Sequence, residues 1–184
     1  MGARPVSVFA LLVAAGCGSR DGAGERQPEP PVQPGPPVPL KSFVLHDVQG
    51  LFGGRALWAA EDRTAYVQVV SVPPAGESWL REKRYKTTLT AEQWAEVERL
   101  VGAHHLLTLK EPERPGVPDE AHPLIAVATK AGATAKAWKW ARDQHPDFDP
   151  VYGYLLGLCH QEGELVREGV FEGDWRPDGF EWLR

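Results

Sequence analysis

This sequence has neither a surplus of positive charge nor a recognisable catalytic signature. It carries 20 lysines and arginines against 25 aspartates and glutamates, which gives a formal net charge of −5. A weakly acidic chain with mixed signs argues against nucleic acid and against an anionic membrane surface as partners. The sequence also lacks a P-loop, a dinucleotide-binding fingerprint and the G-x-S-x-G setting of a serine hydrolase.

The sequence has no apolar run long enough to cross a bilayer. Residues 6–15 are apolar and follow Arg4, as in a signal peptide, whereas a transmembrane helix needs about 20 such residues. We therefore expect residues 1–16 to be a cleaved signal peptide rather than a membrane span.

The end of this run, Ala14-Ala15-Gly16-Cys17, resembles a bacterial lipobox, with Ala14 where leucine is usual. In lipoproteins of this kind the cysteine becomes the first mature residue and carries acyl chains such as palmitate. Two or more acyl chains hold a protein stably on a membrane, whereas one does not. The resemblance implies anchoring at Cys17 in the bacterial cell envelope, and Gly18 in place of Asp favours the outer membrane. The alternative is an ordinary secretory signal with a chance cysteine.

Cysteine is scarce, since the chain has only two. If Cys17 is acylated, Cys159 has no partner for an intramolecular disulfide, and the domain must be stable from its core alone. Seven tryptophans supply large apolar side chains for that core. Cys159 follows Leu155 and Leu158 in an apolar helical pattern, which favours a buried small hydrophobe over a reactive thiol.

Composition divides the mature chain into three parts. Residues 17–40 hold the lipidated cysteine and a proline- and glycine-rich tether, which we expect to be extended and partly polyproline II. A proline-rich ligand for a recognition module is the alternative for this segment. Residues 41–160 are predicted to form one domain, and the aromatic tail 161–184 is expected to pack on it.

The order of apolar patterns predicts an α+β fold, with antiparallel hairpins and two amphipathic helices packed on one face of the sheet. Thr90 and Gln93 have the spacing of a capping box at the start of the first helix, and Asp149 before Pro150 predicts the N-cap of the second. Strands are predicted at 41–49, 55–60, 64–72, 79–88, 106–109, 124–129 and 134–141. The basic strand 79–88 fits a sheet edge, and 110–123 is predicted to be a loop.

Four stretches give the chain a resemblance to the emfourin-like family of small bacterial proteins. They are GLFGGRAL at 50–57, LTAEQWAEVERLV at 89–101, PDEAHPLIAVAT at 118–129, and the run 143–158 that ends in VYGYLLGL. The named member of that family inhibits a secreted thermolysin-like metalloprotease. The resemblance implies a similar fold and, as an alternative function, protease inhibition, without assigning inhibitory residues.

Two groups of residues are candidates for an interaction surface. Trp138 and Trp140 are two positions apart and so share one face of a strand, where they either pack into the core or form an exposed hot spot. Asp119, Glu120 and His122 lie together in the predicted loop, either as turn residues or as groups for acid–base chemistry.

The histidines do not predict a metal centre. His104 and His105 are adjacent, so on a helix they point about 100° apart, and we interpret them as residues at a helix end. The segment 145–149 holds a histidine and two aspartates, but its spacing matches no zinc site and its carboxylates suit a helix start. We expect no metal, no cofactor and no catalytic set.

Three functional hypotheses follow. The first is a lipid-anchored envelope protein with a non-enzymatic binding domain and an unidentified protein partner. The second is inhibition of a secreted metalloprotease, from the resemblance alone. The third is a hydrolase that uses Asp119, Glu120 or His122 in an unfamiliar arrangement.

Overall fold

The computed structural model describes residues 34–184, except residues 74, 77, 162, 174 and 184. The predicted signal peptide, the predicted lipidation site Cys17 and most of the predicted tether lie outside the described residues. Within the described part of the chain, no helix is both long and apolar enough to cross a membrane.

One antiparallel sheet of seven strands forms the centre of the fold, in the order β6-β5-β1-β2-β3-β4-β7. The strands are β1 Leu40–Gln49, β2 Gly53–Ala60, β3 Thr64–Ser71, β4 Arg81–Thr88, β5 Leu124–Thr129, β6 Thr134–Trp138 and β7 Glu164–Val170. The helices are α1 Ala91–Ala103 and α2 Asp149–Leu158, with a short 3-10 helix at Leu106–Thr108. The fold is α+β, as predicted.

Local signals in the sequence account for several element boundaries. The Thr90 side chain accepts from the Gln93 amide at 3.1 Å and the Gln93 side chain accepts from the Thr90 amide at 2.8 Å, which confirms the capping box of α1. Asp62 accepts from the amide and hydroxyl of Thr64, which fixes the turn between β2 and β3. Strand β5 has the predicted bounds.

Four local predictions were wrong. Residues 106–109, predicted as a strand, instead contain the 3-10 helix Leu106–Thr108, which follows His105 in a left-handed conformation. Strand β4 is not at an edge, because β7 pairs with its outer side. Strand β6 ends at Trp138 rather than at residue 141. The N-cap of α2 is Phe148 rather than Asp149, whose carboxylate instead accepts from the His145 amide at 3.0 Å.

Alternation along the strands separates two apolar clusters. Phe43 and Leu45 of β1 belong to the larger cluster, which includes buried side chains from α1 and α2. Val44, between them, belongs to a smaller cluster with Trp58 of β2. Successive strand residues point to opposite faces, so each cluster takes every second residue.

The residues that follow β7, which we call the carboxyl-terminal segment, contribute to the smaller cluster. Phe180 and Leu183 are buried in it, and Trp175 contacts the Trp58 ring with a centroid distance of 4.9 Å. The Arg84 guanidinium lies 4.3 Å from the Trp175 ring centroid. These contacts place aromatic and apolar side chains of the segment against the strands.

Arg84, which forms a buried ion pair within β4, also links β4 to this segment. Glu82 is fully buried and accepts hydrogen bonds from Arg84 and, at 2.5 Å, from Gln68. Arg84 also donates to Glu172 at 3.2 Å, just after β7. The two charges are compensated inside the fold, as buried charges must be.

Candidate functional site

The pairing of the strands brings three distant parts of the sequence to one end of the sheet. In the antiparallel ladder His46 of β1 lies opposite Leu124 of β5, and Leu124 lies opposite Trp138 of β6. The turn that follows β1, the loop that precedes β5 and the segment that follows β6 therefore leave the sheet at the same end.

A cleft of about 260 Å³ lies between the β1–β2 turn and the loop before β5. One wall is the end of β1 with the turn, which includes His46, Asp47, Leu51 and Phe52. The other wall is residues 119–122 of the loop. The volume is near the lower limit of ligand pockets, about 300–1,000 Å³, so the cleft suits a side chain or a short segment rather than a large cofactor.

The β1–β2 turn presents two large apolar side chains to solvent. Leu51 is 63% exposed and Phe52 is 66% exposed. Gly53 and Gly54 follow with positive φ angles, and a Cβ atom at Gly54 would collide with the backbone carbonyl of Asp47. The glycines thus permit a tight turn whose tip, residues 50–52, projects two apolar groups beside the cleft. We call these residues the hairpin tip.

Ion pairs hold the loop before β5 in one conformation. The Arg114 guanidinium donates to Glu120 at 3.0 and 2.7 Å and to Asp143 at 2.8 Å. Trp140 donates from Nε1 to the Arg114 carbonyl at 3.1 Å. Gly116 lies so close under the Trp140 ring that a Cβ atom would overlap it. This loop is therefore fixed to the segment after β6.

The structure places His122, Trp138 and Trp140 in mutual contact, and we call them the aromatic cluster. The ring centroids of the two tryptophans are 5.1 Å apart. The His122 ring centroid lies 6.0 Å from that of Trp138 and 5.9 Å from that of Trp140. All three contacts are edge-to-face, the geometry that aromatic quadrupoles favour. The two tryptophans are half-buried, and His122 is exposed and also lines the cleft. His122 thus connects the aromatic cluster with the cleft.

Two of the acidic groups in the cleft are held by hydrogen bonds. The Arg114 hydrogen bonds lower the pKa of Glu120 to about 2, so this carboxylate is ionised at neutral pH and does not donate a proton there. Asp47 accepts from the Tyr152 hydroxyl at 2.6 Å. Burial, together with this hydrogen bond, raises the pKa of Tyr152. Burial lowers the pKa of His46, which favours its neutral form.

The residues named for the hydrolase hypothesis do line one cleft, but they differ in what they can do. Glu120 is locked in an ion pair, and its side chain is only 2% exposed. Asp119 is exposed, at a left-handed backbone position with φ 61°. The cleft therefore combines an exposed carboxylate, imidazoles and apolar side chains, a composition that fits recognition of a mixed apolar and polar surface.

The other residues singled out in the sequence are used within the fold. Asp149 accepts from the His145 amide, and one of its carboxylate oxygens lies 2.6 Å from Nζ of Lys139. His104 caps the end of α1 and lies 3.6 Å from Asp147. Among the described residues, no group of three or more His, Cys, Asp and Glu side chains is arranged to hold a metal ion.

Cys159 is buried at the end of α2, where its Sγ donates to the Leu155 carbonyl at 3.5 Å. Burial raises the pKa of the thiol to about 12, so it stays protonated at neutral pH. This agrees with the interpretation of Cys159 as a small hydrophobe.

Sequence reasoning missed the wall of the cleft that β1 and the hairpin tip supply. Leu51 and Phe52 did carry a signal, since two large apolar residues between glycines are unusual in a turn. His46 and Asp47 carried none, because only the β1–β5 pairing brings them close to residues 119–122.

A family assignment would supply a ligand for this cleft by analogy, although folds host many functions. Without a family assignment, the chemistry of the ligand is inferred from the side chains that line the cleft. Comparison of the chain with protein-family models, with curated proteins and with solved structures found no match.

Proposed function

We propose that this chain is a lipid-anchored envelope protein whose domain binds another protein at the cleft. The observation that carries the proposal is the exposed hairpin tip, which stands beside the cleft, opposite His122 of the aromatic cluster. Two large apolar side chains exposed side by side lower the solubility of a protein and are typical of surfaces that a binding partner covers. Tryptophan, which supplies two of the three side chains of the aromatic cluster, is among the residues most enriched at binding hot spots.

The cleft also has the rigidity that favours binding. The Arg114 ion pairs fix the loop before any partner arrives, so less conformational entropy is lost on association. Carboxylates of Asp47, Asp119 and Glu120 line the cleft. Arg114 already compensates Glu120, so the carboxylates of Asp47 and Asp119 are the ones that attract a basic group. A segment that combines an apolar side chain with a basic one complements this lining, and we propose that chemistry for the partner.

The membrane anchor is the second part of the proposal. Acyl chains on Cys17 would hold the protein on the envelope, and the proline-rich tether would set its reach. The test is metabolic labelling with a palmitate analogue. Label on the wild-type chain that disappears in Cys17→Ala supports the anchor, whereas unchanged membrane association of Cys17→Ala contradicts it.

We also infer that both helices cover the same face of the sheet and that the carboxyl-terminal segment covers the other. The support is the composition of the two apolar clusters. Trp94 of α1 and Leu155 of α2 both belong to the cluster around Phe43, while Phe180 belongs to the cluster around Val44.

Co-purification of the full tagged chain from cross-linked envelopes tests the binding site. The double variant L51D/F52D places charges on the hairpin tip and is expected to lose the partner. The matched control is V72D/W79D, which alters two side chains of similar exposure in the loop between β3 and β4. Retention of the partner by L51D/F52D, or equal loss in both double variants, would show that the hairpin tip is not the site.

Inhibition of a metalloprotease is a second candidate function, and the same exposed turn favours it. A tight turn with exposed apolar side chains has the shape of a segment that enters a protease cleft. Titration of the purified chain against a thermolysin-like enzyme measures this directly. Stoichiometric inhibition by the wild-type chain that is abolished in L51D/F52D would support inhibition as the function. Full protease activity in the presence of excess chain would contradict it.

A further inference from the structure

A second cavity lies between the sheet and the carboxyl-terminal segment, apart from the aromatic cluster and the hairpin tip. Its volume is about 290 Å³. The sheet contributes Trp58, Leu124 and Lys136, and the segment contributes Trp175, Arg176 and Leu183. The cavity is thus walled by apolar side chains and contains two cationic ones.

The described charged side chains that line this cavity differ in sign from the net charge of the chain. The described titratable residues that line it are His46, Lys136 and Arg176, all of them basic, in a chain with a formal net charge of −5. The Arg176 guanidinium donates from Nη1 to the Leu183 carbonyl at 2.7 Å, which fixes its position. A guanidinium carries five N–H donors, so this bond leaves others for a ligand.

The apolar wall contains a hydrogen-bond donor without an acceptor. Trp58 is 1% exposed, and its Nε1 has no hydrogen-bond partner among the described residues. Buried polar groups are nearly always hydrogen-bonded, and an unpaired one calls for an explanation. Its ring contacts Trp175 edge to face across the cavity wall. A ligand oxygen is an acceptor that would satisfy this N–H group.

We infer that this cavity binds a small amphipathic carboxylate, with its apolar part against Leu124 and Leu183 and its carboxylate oxygens between the Arg176 guanidinium and the Trp58 N–H group. Arginine forms charge-assisted, two-point hydrogen bonds with carboxylates, which are about twice as strong as neutral ones. The volume, near the lower limit of about 300 Å³ for ligand pockets, restricts the ligand to a short chain or a single ring. His46 lines both this cavity and the cleft, but the carboxylate site does not require the protein partner proposed above.

His46 provides an internal reporter of the ligand's charge. Its pKa is lowered by burial and by Arg176 and His122, while Asp47 opposes these effects. A carboxylate in the cavity adds negative charge near the imidazole and raises the His46 pKa, whereas a neutral ligand of the same shape does not.

Calorimetry and NMR on the full chain in detergent, with hexanoate and its neutral analogue hexanamide, test the inference. Hexanoate is expected to bind about tenfold or more tightly than hexanamide, as charge-assisted bonds predict. It should shift the indole N–H resonance of Trp58 and raise the His46 pKa. Equal affinity for the two compounds, or binding that leaves the Trp58 resonance unchanged, would overturn the inference.

Variants separate the site from general charge effects. Arg176→Gln is expected to reduce hexanoate affinity about tenfold and leave hexanamide unaffected, and Arg176→Lys, which keeps the charge but loses the two-point geometry, is expected to give an intermediate affinity. Lys41→Met is the control, since it removes a cation from an exposed position of β1. Equal effects of R176Q and K41M would contradict the site. If R176Q does not fold, the comparison of hexanoate with hexanamide on the wild-type chain still tests whether the cavity prefers a carboxylate.

Discussion

Arg114 and Glu120 form a two-point ion pair that closes the loop beside the cleft, with Nη1–Oε2 and Nη2–Oε1 distances of 3.0 and 2.7 Å. The same guanidinium donates to Asp143, which lies after β6. One arginine thus joins two segments that are separated by strands β5 and β6. The position of His122 at the cleft depends on this junction.

We predict that the conformation of this loop depends on pH through Glu120. Its folded-state pKa is lowered to about 2, so the ion pair stabilises the loop above the usual carboxyl pKa of 4.5 and is lost as the pH falls from there through about 2. The Trp140 indole N–H resonance, followed from pH 6 to pH 2, is the measurement. It is expected to change only in the acidic part of that range.

Glu120→Gln should give the loop, at neutral pH, the conformation that it has when Glu120 is protonated and the ion pair with Arg114 is lost. The matched control is Glu113→Gln, an exposed carboxyl in the same loop. E120Q is expected to accelerate amide hydrogen exchange in residues 114–122, and E113Q is not. Equal exchange in both variants would show that the ion pair does not order the loop.

Two phenylalanines of opposite exposure test the packing of the carboxyl-terminal segment. Phe180 is 3% exposed and Phe52 is 66% exposed. Phe180→Ala is expected to lower the free energy of unfolding by about 3–5 kcal/mol, because it leaves a cavity in the smaller cluster. Phe52→Ala should change it by less than about 0.5 kcal/mol. Urea denaturation measures both, and a small effect of F180A would mean that the segment is not packed on the sheet.

Two glutamates of adjacent strands distinguish buried from exposed ion pairs. Glu82 is fully buried against Arg84, and Glu82→Ala leaves this buried cation with only the exposed carboxylate of Glu172, at a cost of about 3–5 kcal/mol. Glu168 lies 3.4 Å from Lys83 with both side chains about half exposed. Glu168→Ala is therefore expected to cost less than about 1 kcal/mol. Similar losses of stability in the two variants would contradict the burial of Glu82.

The sequence predicts those elements whose formation depends on neighbouring residues. The alternating pattern of 64–72 closely matches β3, and the spacing of Thr90 and Gln93 correctly marks the start of α1. Such signals are local, since a cap or a hairpin turn involves residues a few positions apart.

Elements that depend on distant pairing were not predictable in the same way. Strand β7 contains Glu164, Arg167 and Glu168, so it has no apolar alternation, and its conformation follows from pairing with β4. The cleft was missed for the same reason. The loop residues Asp119, Glu120 and His122 were recognised as a group, but their proximity to His46 requires the strand order β5-β1.

Site-specific photocross-linking in living cells tests the central claim most directly. A photoreactive residue is placed at Phe52 in the hairpin tip, at His122 in the aromatic cluster, or at Trp79 as an exposed control. Positions 52 and 122 are predicted to cross-link the same envelope protein, and position 79 is predicted not to. Absence of a shared adduct at positions 52 and 122, or the same adduct at position 79, would contradict binding at the cleft.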